Sequence, residues 1–263
     1  MEEIIITSVQ NARIKHVVAL QQKSSLRREE GLFVVEGQRE IEHCIACGYE
    51  ITELFLKDSF SYPGNITTTA VTPQVYEKMA YRESTEGIIA IAKCKEHRLK
   101  DLHLKEKPLV VVIESVEKPG NLGAILRTAE AAGVDAVMVC DPLTDLYNPN
   151  LIRASIGGVF SVPIAVCNSK DCITFLKEHQ VRILTAQLQD SYNYYDYDMN
   201  GATAIVMGTE STGLTQQWRE AADAHIRIPM LGRLDSLNVS VSAAILMYEA
   251  VRQRNQTYKK ATM

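Results

Sequence analysis

The chain has 263 residues, of which 46% are hydrophobic and 23% are charged, which is ordinary for a globular enzyme of one large or two smaller domains. The net charge of −4 argues against nonspecific coating of nucleic acid, and six cysteines in this length fit a reducing compartment rather than a disulfide scaffold. The sequence has no apolar run long enough to cross a bilayer, and its N-terminus lacks the pattern of a secretory signal. We therefore expect a cytoplasmic protein that has no membrane partner.

The first ninety residues predict a small α/β unit with a helical N-terminal extension. Apolar spacing and apolar runs predict helices at 7–26, 38–47 and 73–79, and strands at 32–35, 51–56 and 87–92. The stretch 59–69 is rich in turn-forming residues. Five basic residues and no acidic residue lie between positions 11 and 28, namely Arg13, Lys15, Lys23, Arg27 and Arg28. This basic patch is equally consistent with phosphate contacts and with a solvated helix face.

A charged segment at 93–107 reads as a linker, so we predict one domain at 1–100 and a second at 101–263. Beyond the linker, apolar strands alternate with helices. The predicted strands are 109–113, 136–140, 162–166, 182–186, 202–207 and 226–229, and the predicted helices are 121–132, 150–156, 172–179 and 239–252. This alternation predicts a parallel sheet with helices on both faces. The aromatic and acidic stretch 190–198 is expected to be an exposed loop or a partner surface.

Three loops in the second domain carry polar residues directly after predicted strands. In the first, Pro119-Gly120 turns the chain into a helix that contains Asn121 and Arg127. In the second, Gly208 and Gly213 bracket Glu210, and the glycines permit close approach of a ligand to the backbone. In the third, Ser236 and Asn238 precede a helix N-terminus, where free N–H groups favour a polar ligand.

Each loop alone has an ordinary interpretation. Ser236 and Asn238 can simply cap a helix, Gly208 and Gly213 can form a plain turn, and Arg127 can extend into water. The dinucleotide-binding G-x-G-x-x-G spacing does not occur in the chain, which argues against a nicotinamide oxidoreductase. The phosphate-binding G-K-[ST] sequence does not occur either. Because the carboxyl ends of parallel strands meet at one edge of a sheet, the three loops together predict a single ligand site.

In order, the three motifs read N-L-G-A-I-L-R, G-T-E-S-T-G-L and I-P-M followed by S-L-N-V-S-V-S-A-A. They resemble the three motifs of the SpoU (TrmH) family of RNA ribose 2′-O-methyltransferases, which belong to the SPOUT class. The resemblance covers roughly residues 108–254. It implies a parallel α/β domain with a C-terminal trefoil knot, S-adenosylmethionine as methyl donor, an RNA substrate and a homodimer. The N-terminal residues R-R-E-E-G-L-F-V-V-E-G-Q-R-E resemble the small RNA-binding α/β module that precedes the catalytic domain in members acting on ribosomal RNA.

The resemblance also implies the roles of individual residues. Asn121 and Arg127 are expected at the target ribose and its phosphate, Glu210 is expected to hold the substrate region, and Ser236 and Asn238 are expected to face the target. The residues expected to hold S-adenosylmethionine are Ala186, Gly208, Gly213, Ile228, Met230 and Leu237. Many family members have Asn before the motif-two glutamate, where this chain has Thr209, so an amide contact at that position is in doubt.

An arginine guanidinium keeps its proton, so Arg127 is expected to clamp a phosphate rather than to act as the base, and a phosphate oxygen or water accepts the proton of the 2′-hydroxyl. This chemistry needs no metal. Transfer RNA as the substrate and a non-catalytic RNA-binding protein that retains the fold are the alternatives.

Two groups of cysteines and histidines outside the three loops carry no predicted chemistry. Cys44 and Cys47 have C-x-x-C spacing within a predicted helix, and Cys94, His97 and His103 lie in the charged linker. Helix packing is favoured for the first pair, because the sequence has no second C-x-x-C pair, and no metal site is expected in the linker. Trp218 is expected to be a packing residue.

Overall fold

The computed structural model describes residues 5–57, 62, 66–81, 86–209 and 212–261. The chain divides into two compact units, one formed by residues 1–96 and 145–160 and the other by residues 97–144 and 161–263. Residues 145–160 therefore cluster with the first unit, although they follow part of the second unit in sequence. Within the described ranges, no helix combines the length and the apolar character that a membrane crossing requires.

Helices and strands alternate along much of the chain in both units. The helices are α1 (Ala12–Gln22), α2 (Ser24–Glu30), α3 (Gln38–Ala46), α4 (Pro73–Met79), α5 (Pro119–Ala132), α6 (Pro149–Ser155), α7 (Gly158–Ser161), α8 (Ser169–Glu178), α9 (Gln216–Ala221) and α10 (Val239–Ala261). The strands are β1 (Leu32–Glu36), β2 (Ile51–Lys57), β3 (Thr68–Val71), β4 (Ile88–Lys93), β5 (Leu109–Glu114), β6 (Ala136–Cys140), β7 (Ile164–Cys167), β8 (Arg182–Ala186), β9 (Tyr192–Asn193), β10 (Thr203–Met207) and β11 (Ala224–Arg227).

The first unit contains a four-stranded sheet with the order β1-β4-β2-β3. Strand β4 pairs antiparallel with both β1 and β2, and β3 pairs parallel with β2. Strand β3 was not predicted, because four residues that follow a turn-rich stretch carry too little alternation to be recognised. The parallel pairing with β2 therefore stabilises β3 as a strand, which its own sequence does not specify.

One residue of the predicted basic patch is buried in the first unit. Arg27 is 3% exposed and forms a two-pronged ion pair with Asp145, through Nε to Oδ1 at 3.1 Å and Nη2 to Oδ2 at 2.6 Å. Its Nη1 also donates to the carbonyl oxygens of Leu20 and Gln21. Arg27 therefore stabilises the fold and is not available to a phosphate. Arg13 is half-exposed and forms an ion pair with Glu53.

The second unit contains the predicted parallel sheet, which is confirmed with seven strands in the order β7-β6-β5-β10-β8-β11-β9. The ladders from β7 to β9 are parallel throughout. All side chains of β5, β6 and β10 are buried, as expected for strands covered on both faces. The stretch 190–198 is more ordered than the predicted loop, since β9 adds an edge strand beside β11.

The order of the strands brings the functional loops to the middle of one sheet edge. Strand β10 lies between β5 and β8, although β8 precedes it in the chain. The carboxyl ends of β5, β10 and β8 are therefore adjacent, and β11 lies next to β8. Helix α10, which is longer than the predicted 239–252, packs against α5. The helix of the first loop and the helix of the third loop thus lie side by side.

Candidate active site

The first and third loops meet through two asparagine side chains. Asn121 lies in the first turn of α5, and Asn238 immediately precedes α10. The Nδ2 of Asn238 donates a hydrogen bond to Oδ1 of Asn121 at 3.2 Å. Both side chains belong to the second unit. The structure therefore joins two predicted site residues that are 117 positions apart in the sequence.

Asn238 also caps helix α10, which is the ordinary role that the sequence allows for this residue. Its Oδ1 accepts hydrogen bonds from the backbone N–H of Ser240 at 2.9 Å and from the Ser240 hydroxyl at 2.6 Å. Its backbone carbonyl accepts from the N–H groups of Val241 and Ser242, each at 3.0 Å. Capping and bridging use different atoms of one side chain. The cap fixes the orientation of the amide that reaches Asn121.

The second loop turns so sharply that Gly208 has no room for a side chain. A Cβ built at Gly208 would lie 2.3 Å from the carbonyl carbon of Gly213 and 2.6 Å from the backbone nitrogen of Leu214. Gly213 has a φ of +67°, which favours glycine, and its N–H donates to the carbonyl of Thr209 at 3.1 Å. Glu210 lies outside the described residues. Thr209 closes the turn by accepting from the N–H of Thr212 at 3.0 Å.

A buried carboxylate holds the far end of this second loop, and the sequence analysis did not identify it. Glu114, the last residue of β5, is 2% exposed. Its carboxylate accepts from the N–H and the hydroxyl of Thr215 at 2.9 and 2.6 Å. The hydroxyl of Ser169 lies 3.2 Å from the same carboxylate and 2.6 Å from Oδ2 of Asp141, so it can donate to either. The buried indole of Trp218 donates to the same hydroxyl of Ser169 at 3.0 Å. An acidic residue at the end of an all-apolar strand was the one signal in the sequence.

A first cleft of about 150 Å³ opens at the carboxyl ends of β8 and β11. Four of the six residues predicted to hold the methyl donor line it, namely Ala186, Ile228, Met230 and Leu237. Ser236 also lines it, and Ile226 and Leu246 supply buried apolar surface. Gln187, which was not predicted, contributes a buried Oε1 that has no hydrogen-bond partner among the described residues. The cleft therefore combines apolar surface with polar groups, among them a buried side-chain acceptor that has no partner among the described residues.

A second cleft of about 140 Å³ lies between the loops after β5 and β10. Asn121, Gly208 and Val239 line it, together with Glu117 and Lys118. Leu237 lines the first cleft and Val239 lines the second, and Asn238 lies between them in the chain. The N-terminal end of α10 is thus common to both clefts. Of the predicted donor residues, Gly208 lines this second cleft, and Gly213 packs against Gly208.

Arg127 and Ser236 differ from the asparagines in their exposure and contacts. Arg127 lies six residues after Asn121 on α5, about 9 Å along the helix axis, and is exposed. Within the described part of the chain, its guanidinium has no hydrogen-bond or ion-pair partner. Ser236 is also exposed, and its hydroxyl donates to Asp235 Oδ1 at 3.3 Å. Arg127 lines neither cleft. Because its guanidinium is exposed and has no partner among the described residues, it is available to a partner outside the chain.

A parallel α/β unit with two clefts at adjacent strand ends is the architecture of an enzyme that binds a ligand at the carboxyl edge of its sheet. Comparisons with known proteins identify the family. Residues 108–248 match the SpoU rRNA methylase family, and residues 11–90 match the MRM3-like substrate binding domain. The chain therefore belongs to the SpoU rRNA methylase family.

Full-length relatives and solved structures agree with this family assignment. The chain is 28% identical to the 23S rRNA (guanosine(2553)-2′-O)-methyltransferase RlmP of Bacillus subtilis, over 92% of this chain and 97% of that protein. A crystal structure of an RNA 2′-O ribose methyltransferase superposes with a TM-score of 0.84 at 36% identity, covering 96% of this chain and 100% of the other. The AdoMet-bound rRNA methyltransferase from Sinorhizobium meliloti gives a TM-score of 0.87 at 29% identity, covering 95% and 97%.

Proposed function

We propose that the protein transfers a methyl group from S-adenosylmethionine to a ribose 2′-hydroxyl of ribosomal RNA in the cytoplasm. The observation that carries this proposal is the shared end of α10, which separates two clefts lined by residues of all three motifs. One cleft is suited to the donor and the other to the target nucleotide. The relative from Bacillus subtilis and the structure from Sinorhizobium meliloti both carry names that specify ribosomal RNA methylation.

The first cleft fits the donor chemically. S-adenosylmethionine supplies an activated methyl group when bound. Its adenine amino group, ribose hydroxyls and ammonium group are donors that can satisfy the buried Oε1 of Gln187. Ile226 and Leu246 give an apolar surface for the adenine ring. Ala186, Ile228, Met230 and Leu237 remain our proposed donor-binding residues, together with Gly208 and Gly213, which shape the adjacent loop.

We assign the second cleft, which Asn121 lines, to the acceptor. Arg127 presents a guanidinium that can clamp the phosphate next to the target ribose through two parallel N–H···O bonds. Asn121 and Asn238 offer amide groups toward ribose hydroxyls. Ser236, which lines the first cleft, and Glu210 complete the proposed set. The clamped phosphate or a water accepts the proton of the 2′-hydroxyl as its oxygen attacks the methyl carbon. These residues need no metal for this step.

We infer that the N-terminal domain at 1–100 binds the RNA substrate and that the domain at 101–263 catalyses methyl transfer. The match of residues 11–90 to a substrate binding domain supports this division. With Arg27 buried in its ion pair with Asp145, Lys15, Lys23 and Arg28 are the basic residues of the patch that we assign to phosphate contacts. Lys15 and Lys23 line a shallow cleft of about 180 Å³ on α1.

We also propose that the enzyme is a homodimer. Five apolar side chains on the third loop and on α10 are exposed: Leu231, Leu234, Leu237, Val241 and Tyr248. Leu231 is 98% exposed, and Val241 and Tyr248 lie two turns apart on one face of α10. A second copy that covers this surface would also shield the third loop from water.

We further infer the trefoil knot that is typical of the family. The return of the chain from β8 to the centre of the sheet at β10, followed by β11 and α10, supports this inference. Knots are otherwise nearly absent from proteins, so strand and helix patterns alone do not predict one.

The test of the proposed reaction combines a donor titration with methylation mapping. The purified protein should bind S-adenosylmethionine in a calorimetric titration. RNA from a strain that lacks the gene should lose one ribose 2′-O-methyl group in ribosomal RNA, and the purified protein should restore it. A methyl group missing from transfer RNA would instead favour the alternative substrate. A protein without donor binding would be an RNA-binding protein that retains the fold.

A further inference from the structure

Three cysteines of the second unit gather their sulfur atoms on one side of the parallel sheet. Cys140 ends β6, Cys167 ends β7, and these two residues face each other in the parallel ladder. Cys172 lies in the first turns of α8. The three sulfur atoms lie within 4.8 Å of one another, and the Sγ atoms of Cys140 and Cys167 are 3.8 Å apart. We call these residues the thiol cluster.

A fourth sulfur atom adjoins the thiol cluster. The Sγ of Cys172 lies 3.3 Å from the Sδ of Met138. Met138 and Cys140 are two positions apart on β6, so both side chains point to the same face of the sheet. Met138, Cys140 and Cys172 are fully buried, and Cys167 is partly buried. Apolar side chains that include Ala165 and Leu176 surround the group.

The hydrogen bonds within the cluster shift the pKa values of its thiols in opposite directions. The hydrogen bonds with Cys140 and Cys172 lower the pKa of the Cys167 thiol, against the effect of burial. The same bond with Cys167, together with the bond to Cys172 and burial, raises the pKa of Cys140. Cys167 also precedes the N-terminus of the ten-residue helix α8, whose dipole favours a negative charge.

We propose that the thiol cluster binds one soft, thiophilic metal ion, for which Cu(I) is the best match. A metal–sulfur distance of about 2.3 Å in a trigonal site separates the sulfurs by about 4 Å, close to the spacing of these three sulfur atoms. Binding forms metal–sulfur bonds and releases the protons of the coordinating thiols, with no electron transfer. The methyl-transfer residues do not include these cysteines, so this site is additional to the proposed function.

The surroundings distinguish Cu(I) from other metal ions. Ca²⁺ and Mg²⁺ require oxygen ligands, which the cluster lacks. Structural Zn²⁺ takes a fourth ligand from Cys, His or a carboxylate, and among the described residues the group contains three such ligands. The neighbouring group is instead the thioether of Met138, a soft ligand that suits Cu(I).

The test is an anaerobic titration of the reduced full-length protein with Cu(I), in competition with a chromophoric Cu(I) chelator. We expect one equivalent to bind and to raise the unfolding temperature, because the ion binds the folded state. Cys167→Ser should lower the affinity about 100-fold or more, since it removes a ligand rather than an outer-shell partner. Circular dichroism of each metal-free variant checks the fold, and Cys167 is partly exposed, so its replacement is mild.

Matched controls come from the cysteines of the first unit. Cys47→Ser and Cys94→Ser should retain the full affinity, and Cys47→Ser also excludes binding at the Cys44–Cys47 pair. Equal binding by wild type and Cys167→Ser would overturn the proposal, as would loss of binding in Cys47→Ser. One equivalent of Zn²⁺ held more tightly than Cu(I) would overturn the assignment of the metal.

Discussion

The amide of Asn238 donates to the side-chain oxygen of Asn121 at 3.2 Å, and this bond joins the N-terminal ends of α10 and α5. Because the oxygen of Asn238 is already engaged in capping α10, its amide group has a fixed direction. The bond thus connects the first and third loops at the edge of the second cleft. Substitutions of Asn238 can therefore test the stability of α10 and the contact between the two loops separately.

Asn238→Asp should retain the cap but lose the donor to Asn121. We expect its stability to stay close to that of wild type and its methylation rate to fall, since a carboxylate replaces an amide that is proposed to face the RNA. Asn238→Ala should lose both functions and about 1 kcal/mol of stability. Urea unfolding and single-turnover methylation measure the two effects. Equal rates for wild type and Asn238→Asp would show that the bridge has no role in the reaction.

Arg127→Ala should reduce the methylation rate about 100-fold or more while donor binding is retained, because the guanidinium is proposed to act on RNA alone. Arg127→Lys should also be slow, since a point charge does not replace the planar fork. Rates come from single-turnover assays and donor affinity from calorimetry. The matched control is Glu130→Ala, an exposed change one turn further along α5. A parallel loss of donor affinity in Arg127→Ala would remove the proposed role.

Gln187→Leu should weaken S-adenosylmethionine binding, because it removes the acceptor that is buried and unsatisfied in the first cleft. We expect a loss of about tenfold, which corresponds to about 1.4 kcal/mol. The Michaelis constant for RNA should not change. Calorimetric titration gives the affinity, and Gln189→Leu, at an exposed neighbouring position, serves as the control. An unchanged affinity in Gln187→Leu would exclude contact between Gln187 Oε1 and the donor.

Glu114→Gln should destabilise the second loop, since an amide NH2 cannot accept the hydrogen bonds that the two carboxylate oxygens accept from Thr215. The expected loss is about 1–3 kcal/mol in the free energy of unfolding. Thr215→Val removes only the hydroxyl partner and should cost less than Glu114→Gln. Chemical denaturation ranks the two variants. A larger loss of stability in Thr215→Val than in Glu114→Gln would contradict this prediction.

Tyr248→Glu should convert the proposed dimer into a monomer of 29.3 kDa, because it places a charge in the exposed apolar face of α10. Light scattering at micromolar concentration gives the mass. Tyr195→Glu changes an equally exposed tyrosine elsewhere in the second unit and should leave the dimer intact. A monomeric wild-type protein would contradict the dimer, and a dimeric Tyr248→Glu variant would move the interface to another surface.

The sequence by itself determined the parallel sheet, the family and the three motif loops. The apolar runs of β5, β6 and β10 report burial on both faces, and the motif residues stand close together within each loop. Local patterns of this kind are visible in sequence because they depend on neighbours a few positions away.

Only the tertiary structure decided which side chains meet across the sheet. The bond between Asn238 and Asn121, the contact of Glu114 with Thr215 and the thiol cluster each join residues from separate elements. These pairs follow from the placement of β10 between β5 and β8 and of β7 beside β6, which no local pattern specifies. Strand order is set by the packing of the whole sheet, so contacts that depend on it appear only in the folded chain.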